Sequence, residues 1–150
     1  MIATLAIQTA LAAFLRDSLL VDAVTTHTDP DLGKALEALR DTPDSLIVIV
    51  PGADTIKHDL TPGSNSPEFA ELSCAFELLI TSRDLAMGPS GDPAALELKD
   101  AVIARLMWDS LGIDGLLCLP TTCEPFTVVF DAGRGRESWK LSLVVRQLIF

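Results

Sequence analysis

The sequence predicts an α+β fold, a single domain over residues 1–150 in which a mainly antiparallel β-sheet carries helices packed on it. Three observations lead there. Segments with strand periodicity come in runs instead of alternating one for one with helices. One of them alternates cleanly between apolar and polar residues, as an antiparallel strand with one covered face does. Helical segments with recognisable caps stand before and between these runs. With 150 residues, 49% of them hydrophobic, the chain can bury roughly two thirds of its unfolded surface and needs no metal or disulfide as a staple. Its apolar residues fall in short runs, well below the ~20 consecutive positions of a membrane span.

The opening "MIATLAIQTALAAFLRDS" lacks the basic start of a signal peptide, and Gln8 and Thr9 interrupt its apolar run. It reads as an amphipathic helix of the mature fold. Ile2, Leu5, Ala6, Thr9, Ala12, Ala13 and Arg16 share one arc, and Ile7, Leu11 and Phe14 widen the stripe, so this helix is expected to pack on more than one side. "LLVDAVTTHTDPD" is a short extended piece. A second helix is expected from Asp29-Pro30 or Asp31 through Leu32, Leu36 and Leu39 to Thr42-Pro43.

"SLIVIVPG" is a β-branched run that Pro51-Gly52 is expected to stop. A loop is expected over residues 59 to 68, Asp59, Leu60, Thr61, Pro62, Gly63, Ser64, Asn65, Ser66, Pro67 and Glu68, where periodicity is lost and Pro, Gly, Ser and Asn gather. In "EFAELSCAFELLITSRD", Ala70, Leu72, Cys74, Phe76, Leu78 and Ile80 face a core while Glu71, Ser73, Glu77 and Thr81 face water. Asp92 and Pro93 open a helix with a core stripe at Ala95, Leu98, Val102 and Leu106 that is expected to end at Gly112. "GLLCLP" and "EPFTVVFDA" read as two strands. The latter joins "SWKLSLVVRQLIF" through a hairpin at Gly133 to Arg136, with Trp139, Leu141, Leu143 and Val145 on one face.

Eleven basic against twenty-one acidic side chains give a formal charge of -10, which repels phosphate backbones and speaks against sequence-specific nucleic-acid binding. Three cysteines cannot all pair, and Cys74 sits in a strand as a small buried hydrophobe, which suits synthesis in a reducing cytosol. Cys118, Cys123, His27 and His58 lack the paired spacing of a zinc site. Glu71 and Glu77 are ~20 Å apart along a strand, too far to share a proton. "GPSGDP" and "GRGRE" lack the lysine and glycine spacing of phosphate loops. No catalytic, cofactor or metal site is therefore expected. Arg134 and Arg136, at the expected hairpin tip, are either solubilising charges or a docking finger for acidic groups on another subunit.

The order of these elements resembles the tail terminator, or tail completion, proteins of long-tailed bacteriophages. The likeness is carried by the helix "LAIQTALAAFLRDS", the strand "SLIVIVPG" leading into a long loop, the alternating strand, the capped helix and the closing "SWKLSLVVRQLIF". That resemblance implies a virion protein of the tail and neck region, made in the host cytoplasm. It implies a ring, typically of six copies, that caps the tail tube protein and offers a surface to head–tail connector or neck proteins. The loop 59–68 and the tip with Arg134 and Arg136 would be its contact elements. Another neck, connector or contractile-injection adaptor protein is the alternative reading, and a small enzyme with an unrecognised site the residual one.

Overall fold

The computed structural model describes residues 1–19, 24–26, 45–59, 69–82, 95–130 and 134–149. Helix α1 spans Thr4–Leu19 and helix α2 Ala95–Leu106. The strands are β1 (Val24–Thr26), β2 (Ser45–Asp59), β3 (Phe69–Ser82), β4 (Leu116–Phe130) and β5 (Arg134–Ile149). They form one sheet in the order β1-β2-β3-β5-β4, in which β1 runs parallel to β2 and every other pairing is antiparallel. This is the α+β arrangement expected. The second helix expected after Asp29 and the Asp92-Pro93 cap lie outside the described residues.

One sheet face makes the core. Ile47 and Ile49 of β2, Leu72, Cys74, Phe76, Leu78 and Ile80 of β3, Leu141, Leu143 and Val145 of β5, and Leu116 and Cys118 of β4 are buried there. The helices cover them with Ile7, Leu11 and Leu15 from α1 and Leu98, Val102 and Leu106 from α2. The alternation read in β3 and β5 therefore holds on this face. The opposite face is not uniformly wet, since Val48, Val50, Leu79 and Thr81 are also buried.

Four expectations are corrected. Helix α1 turns Leu5, Ala6, Thr9, Ala13 and Arg16 outward, so most of the expected arc is exposed, with Ala12 buried and Ile2 half-buried. Burying a large aliphatic side chain contributes roughly 1.5–3 kcal/mol, and the ladder Ile7, Leu11, Leu15 offers more area than an arc of alanine and threonine. Strand β2 does not stop at Pro51-Gly52 but continues to Asp59 after a register shift between Pro51 and Asp54. A Cβ on Gly52 would lie 3.3 Å from the Ala75 Cβ, which explains the glycine at this irregularity. "GLLCLP" and "EPFTVVFDA" are one strand, β4, with a shift between Pro120 and Thr122. The Thr121 hydroxyl donates to the Ser142 carbonyl at 3.1 Å across that irregularity. Finally, α2 ends at Leu106, before the expected Gly112, because Trp108 takes φ 58° and its N–H turns to the Cys118 carbonyl at 2.9 Å.

Two buried glutamines fasten α1. Gln8, beside Ile7 at the start of α1's apolar ladder, donates from Nε2 to the Ile49 carbonyl at 2.9 Å, where β1 ends opposite Ile49. Gln147 accepts from the Ile2 N–H at 2.9 Å and donates to the Ile2 carbonyl at 3.0 Å, so its side chain holds the chain start as a strand neighbour would.

Candidate functional site

The two outer edges of the sheet are the surfaces on which its backbone can bond to another chain, and side-chain chemistry shows which parts are open. The Cys118 N–H donates to Asp109 and the Cys118 carbonyl accepts from Trp108, both at 2.9 Å, so Cys118 faces away from β5. Pro120, Cys123, Pro125, Thr127 and Val129 share its phase, because their partners Leu143, Leu141, Trp139, Glu137 and Gly135 follow Val145 in steps of two. Both prolines of β4 thus stand where the missing N–H would have pointed out of the sheet, the one place a strand tolerates them without losing a ladder bond. They also blunt the edge. Beyond Pro125, Thr127 and Val129 retain outward N–H and carbonyl groups.

At the other edge, among the described residues, β1 pairs with β2 from Ile47 to Ile49. The Ile49 carbonyl, bonded to Gln8, faces away from β3. Asp54, Ile56 and His58 have the same phase, through their partners Cys74, Leu72 and Ala70. Their backbone groups point away from β3 and, among the described residues, meet no further strand. The open part of β2 and the open part of β4 lie at opposite ends of the sheet.

The residues singled out in the sequence divide between those ends. Asp59 closes the ladder of β2 opposite Phe69 and belongs to the strand instead of the loop, while Leu60 to Glu68 lie outside the described residues. Arg134 and Arg136 are likewise strand residues of β5, paired with Phe130 and Val128, and the connection between β4 and β5 is residues 131–133. The expected tip is thus shorter than Gly133 to Arg136, because the ladder runs on through both arginines. The strand ends that flank the expected loop, Asp59 and Phe69, and those that flank the expected tip, Phe130 and Arg134, lie at opposite ends of the sheet.

Side-chain chemistry elsewhere is occupied by structure. Glu71 lies 2.8 Å from Arg146 through its Oε1 and the arginine Nε, an ion pair in which that N–H is not aimed along a hydrogen bond. Glu77 accepts from the Ser142 hydroxyl at 3.0 and 3.2 Å. Burial, with a smaller repulsion from Asp109, pushes the Cys118 thiol up to about 12. Burial also raises Cys74, where a hydrogen bond with Thr4 works the other way, and raises Cys123. All three are free thiols. His58 is exposed on β2, with β3 and β5 between it and the edge strand that carries Cys118 and Cys123, and His27 is outside the described residues. Among the described residues, no three His, Cys, Asp or Glu side chains come together as a metal site. None of the described helices is long and apolar enough to cross a membrane.

What sequence reasoning missed is where apolar surface stays exposed. Among the described residues, and Leu96 excepted, the large exposed apolar side chains gather towards the end of the sheet where β2 finishes and β4 begins: Met1, Leu5, Ile56, Met107, Trp108 and Leu148. Trp108 is 71% exposed. Its sequence signal was its place just after the core stripe Leu98, Val102, Leu106, at a position that continues no stripe.

No known family model matches the chain, and no curated protein matches it. Among solved structures, a chain of the virion of a native gene transfer agent particle is similar over 95% of this chain and 92% of its own length, at 14% identity and a TM-score of 0.48.

Proposed function

We propose that the chain is a structural component of a phage-like virion, and within it a tail terminator subunit that forms a ring capping the tail tube and offering a joining surface to neck or connector proteins. The observation that supports this reading best is the pair of dissimilar open sheet edges. A surface that pairs with a different surface on the next copy propagates head to tail, and such a contact closes into a ring when the rotation allows. Because the open parts of β2 and β4 sit at opposite ends, successive sheets would join with a stagger, which closure of a sheet into a cylinder requires. The turn ends of the two long hairpins then point to opposite rims, the loop 60–68 to one and Arg134 with Arg136 to the other. Each rim has its own partner in this reading, tube on one side and connector on the other. The element order read from the sequence supports the same assignment.

Its test is assembly. Purified protein mixed with tail tubes should be seen by electron microscopy as a ring on the tube end, and light scattering should give the mass of a small closed oligomer alone or on that template. A protein that stays off tube ends and forms no ring under either condition would sink the proposal.

A further inference from the structure

Trp108 combines two features that a fold by itself does not favour. The indole is 71% exposed, and the backbone holds φ 58°, where a bulky side chain is strained and glycine or asparagine is the usual choice. Gly112 and Gly115 share this conformation close by, as does Leu111, but Leu111 packs against the core while the Trp108 indole stands in solvent. An exposed, strained tryptophan at a helix end has the properties of a contact residue, because tryptophan dominates interface hot spots and strain persists where something else requires it.

Beside it lies an open hollow of about 170 Å³ between α2 and the edge strand, lined by Ile103, Met107, Pro120, Thr122, Cys123 and Leu141 with Thr121. A cavity of about 150 Å³ with apolar walls holds a benzene ring, so this hollow has room for the six-membered ring of an indole, whose five-membered ring would stay at its open mouth. Trp108 of the same chain does not fill it; Met107, the residue before, forms part of its wall. Knob and hollow are therefore side by side on one surface.

We infer that a second copy of this chain docks here through a two-fold contact, each copy seating its Trp108 in the hollow of the other. Adjacency selects this symmetry. When a protrusion and its receptor are neighbours on one patch, the patch is complementary to itself, and both insertions form together around a two-fold axis. Charge supports the same pairing. Arg105 is exposed on the turn that leads to Trp108. Asp100, shared with Lys99 at 2.7 Å and 67% exposed, stands close enough to the hollow for its charge to act on the Cys123 thiol. Seating Trp108 brings the arginine of one copy towards the aspartate of the other, twice per pair. Such an Arg–carboxylate contact offsets part of the repulsion between two chains of formal charge -10.

This pair does not rest on the ring reading. It uses the blunted, proline-bearing part of β4, and it leaves the outward groups of Thr127 and Val129 free.

Sedimentation velocity over a micromolar to millimolar series reads the association directly. The parent should show a concentration-dependent dimer, whatever closed rings form beside it, and Trp108→Gly should weaken that pairing at least about 30-fold, as loss of a hot-spot tryptophan does. The glycine variant should also melt no lower than the parent, since it relieves the backbone strain; this separates a contact role from a structural one. Arg105→Asp and Asp100→Arg should each weaken pairing, and the double variant should recover it. A parent that stays monomeric throughout, a Trp108→Gly variant that associates like the parent, or a double reversal no better than either single one would overturn the inference.

Discussion

Replacing Gln147 by leucine isolates the bonds that hold the chain start. Gln147 is 4% exposed and stands in register between Leu72 and Leu116, so leucine keeps the volume and suits the neighbours while removing both bonds to Ile2. Each bond, at 2.9 and 3.0 Å, contributes a net 0.5–1.5 kcal/mol, or about 2 kcal/mol for the pair. Ile2 is half-buried, so water can reach part of what is lost, and the added apolar surface returns some stability. The net cost should be about 1–2 kcal/mol. At about 2–4 °C per kcal/mol for a domain of this length, Tm should fall by about 2–8 °C. Urea titration should show a lower midpoint with an unchanged slope, because the same surface is exposed on unfolding. Hydrogen exchange should locate the loss, with the Ile2 amide losing protection while amides in the middle of β3 weaken only by the global change. If Gln147→Leu is as stable as the parent and Ile2 remains protected, the glutamine does not fasten the chain start, and the idea that a side chain substitutes for a strand here is wrong.

Thr127→Pro should leave the monomer folded, because the lost N–H points away from β5, yet it should impair ring closure; a proline at Val128, whose N–H faces β5, should destabilise the monomer, and equal effects at both positions would refute the assigned phase. Cys118 should resist thiol reagents in the native protein. Its thiol is held up at about 12 against the ordinary 9.0, so the unfolded chain ionises first and stability should be intact below about pH 9 and decline between there and pH 12; Cys118→Val should flatten that decline in a denaturation series. Arg134→Glu with Arg136→Glu should leave circular dichroism unchanged and weaken ring formation more at low than at high salt, and rings that form as readily as the parent's at low salt would remove these arginines from the interface. Shortening residues 60–68 should spare the fold and reduce attachment to the tube or connector, measured by co-sedimentation with tubes.

Much of the fold was legible in local pattern. In β3 and β5, alternation named the core residues because one face packs on helices and period two follows directly. The interruptions were misread for a single reason. Proline and glycine mark turns when the chain is read alone, but Pro51, Pro120 and Pro125 occur on strands with an open side, where a missing N–H breaks no ladder. That depends on strand order, which no local pattern encodes. The seat of α1 was missed because several arcs of that helix are apolar, and the sheet chose the one with the largest side chains. Gln8 looked like a polar interruption and Gln147 carried no signal of its own, and only the fold shows that each bonds backbone far away in sequence. Of the candidate site, the arginine-bearing hairpin and the long connection were visible as positions, while the exposed Trp108 and its neighbouring hollow appear only once α2 is laid against β4.

Thr121 stands outside the ladder of β4. Cys118 and Cys123 are an odd number of residues apart, yet both sit on the helix side, since one residue at the register shift stands outside the count. Deleting it would make Pro120 and Thr122 consecutive, opposite the consecutive residues Leu143 and Ser142, so Cys123 would keep its inward facing and the vacant nitrogen of Pro125 would still point away from β5. The strand thus carries one residue of slack. Loss of one residue between Pro120 and Cys123 should be absorbed there, whereas loss of a second should reverse the facing of everything that follows, turning Glu124 inward.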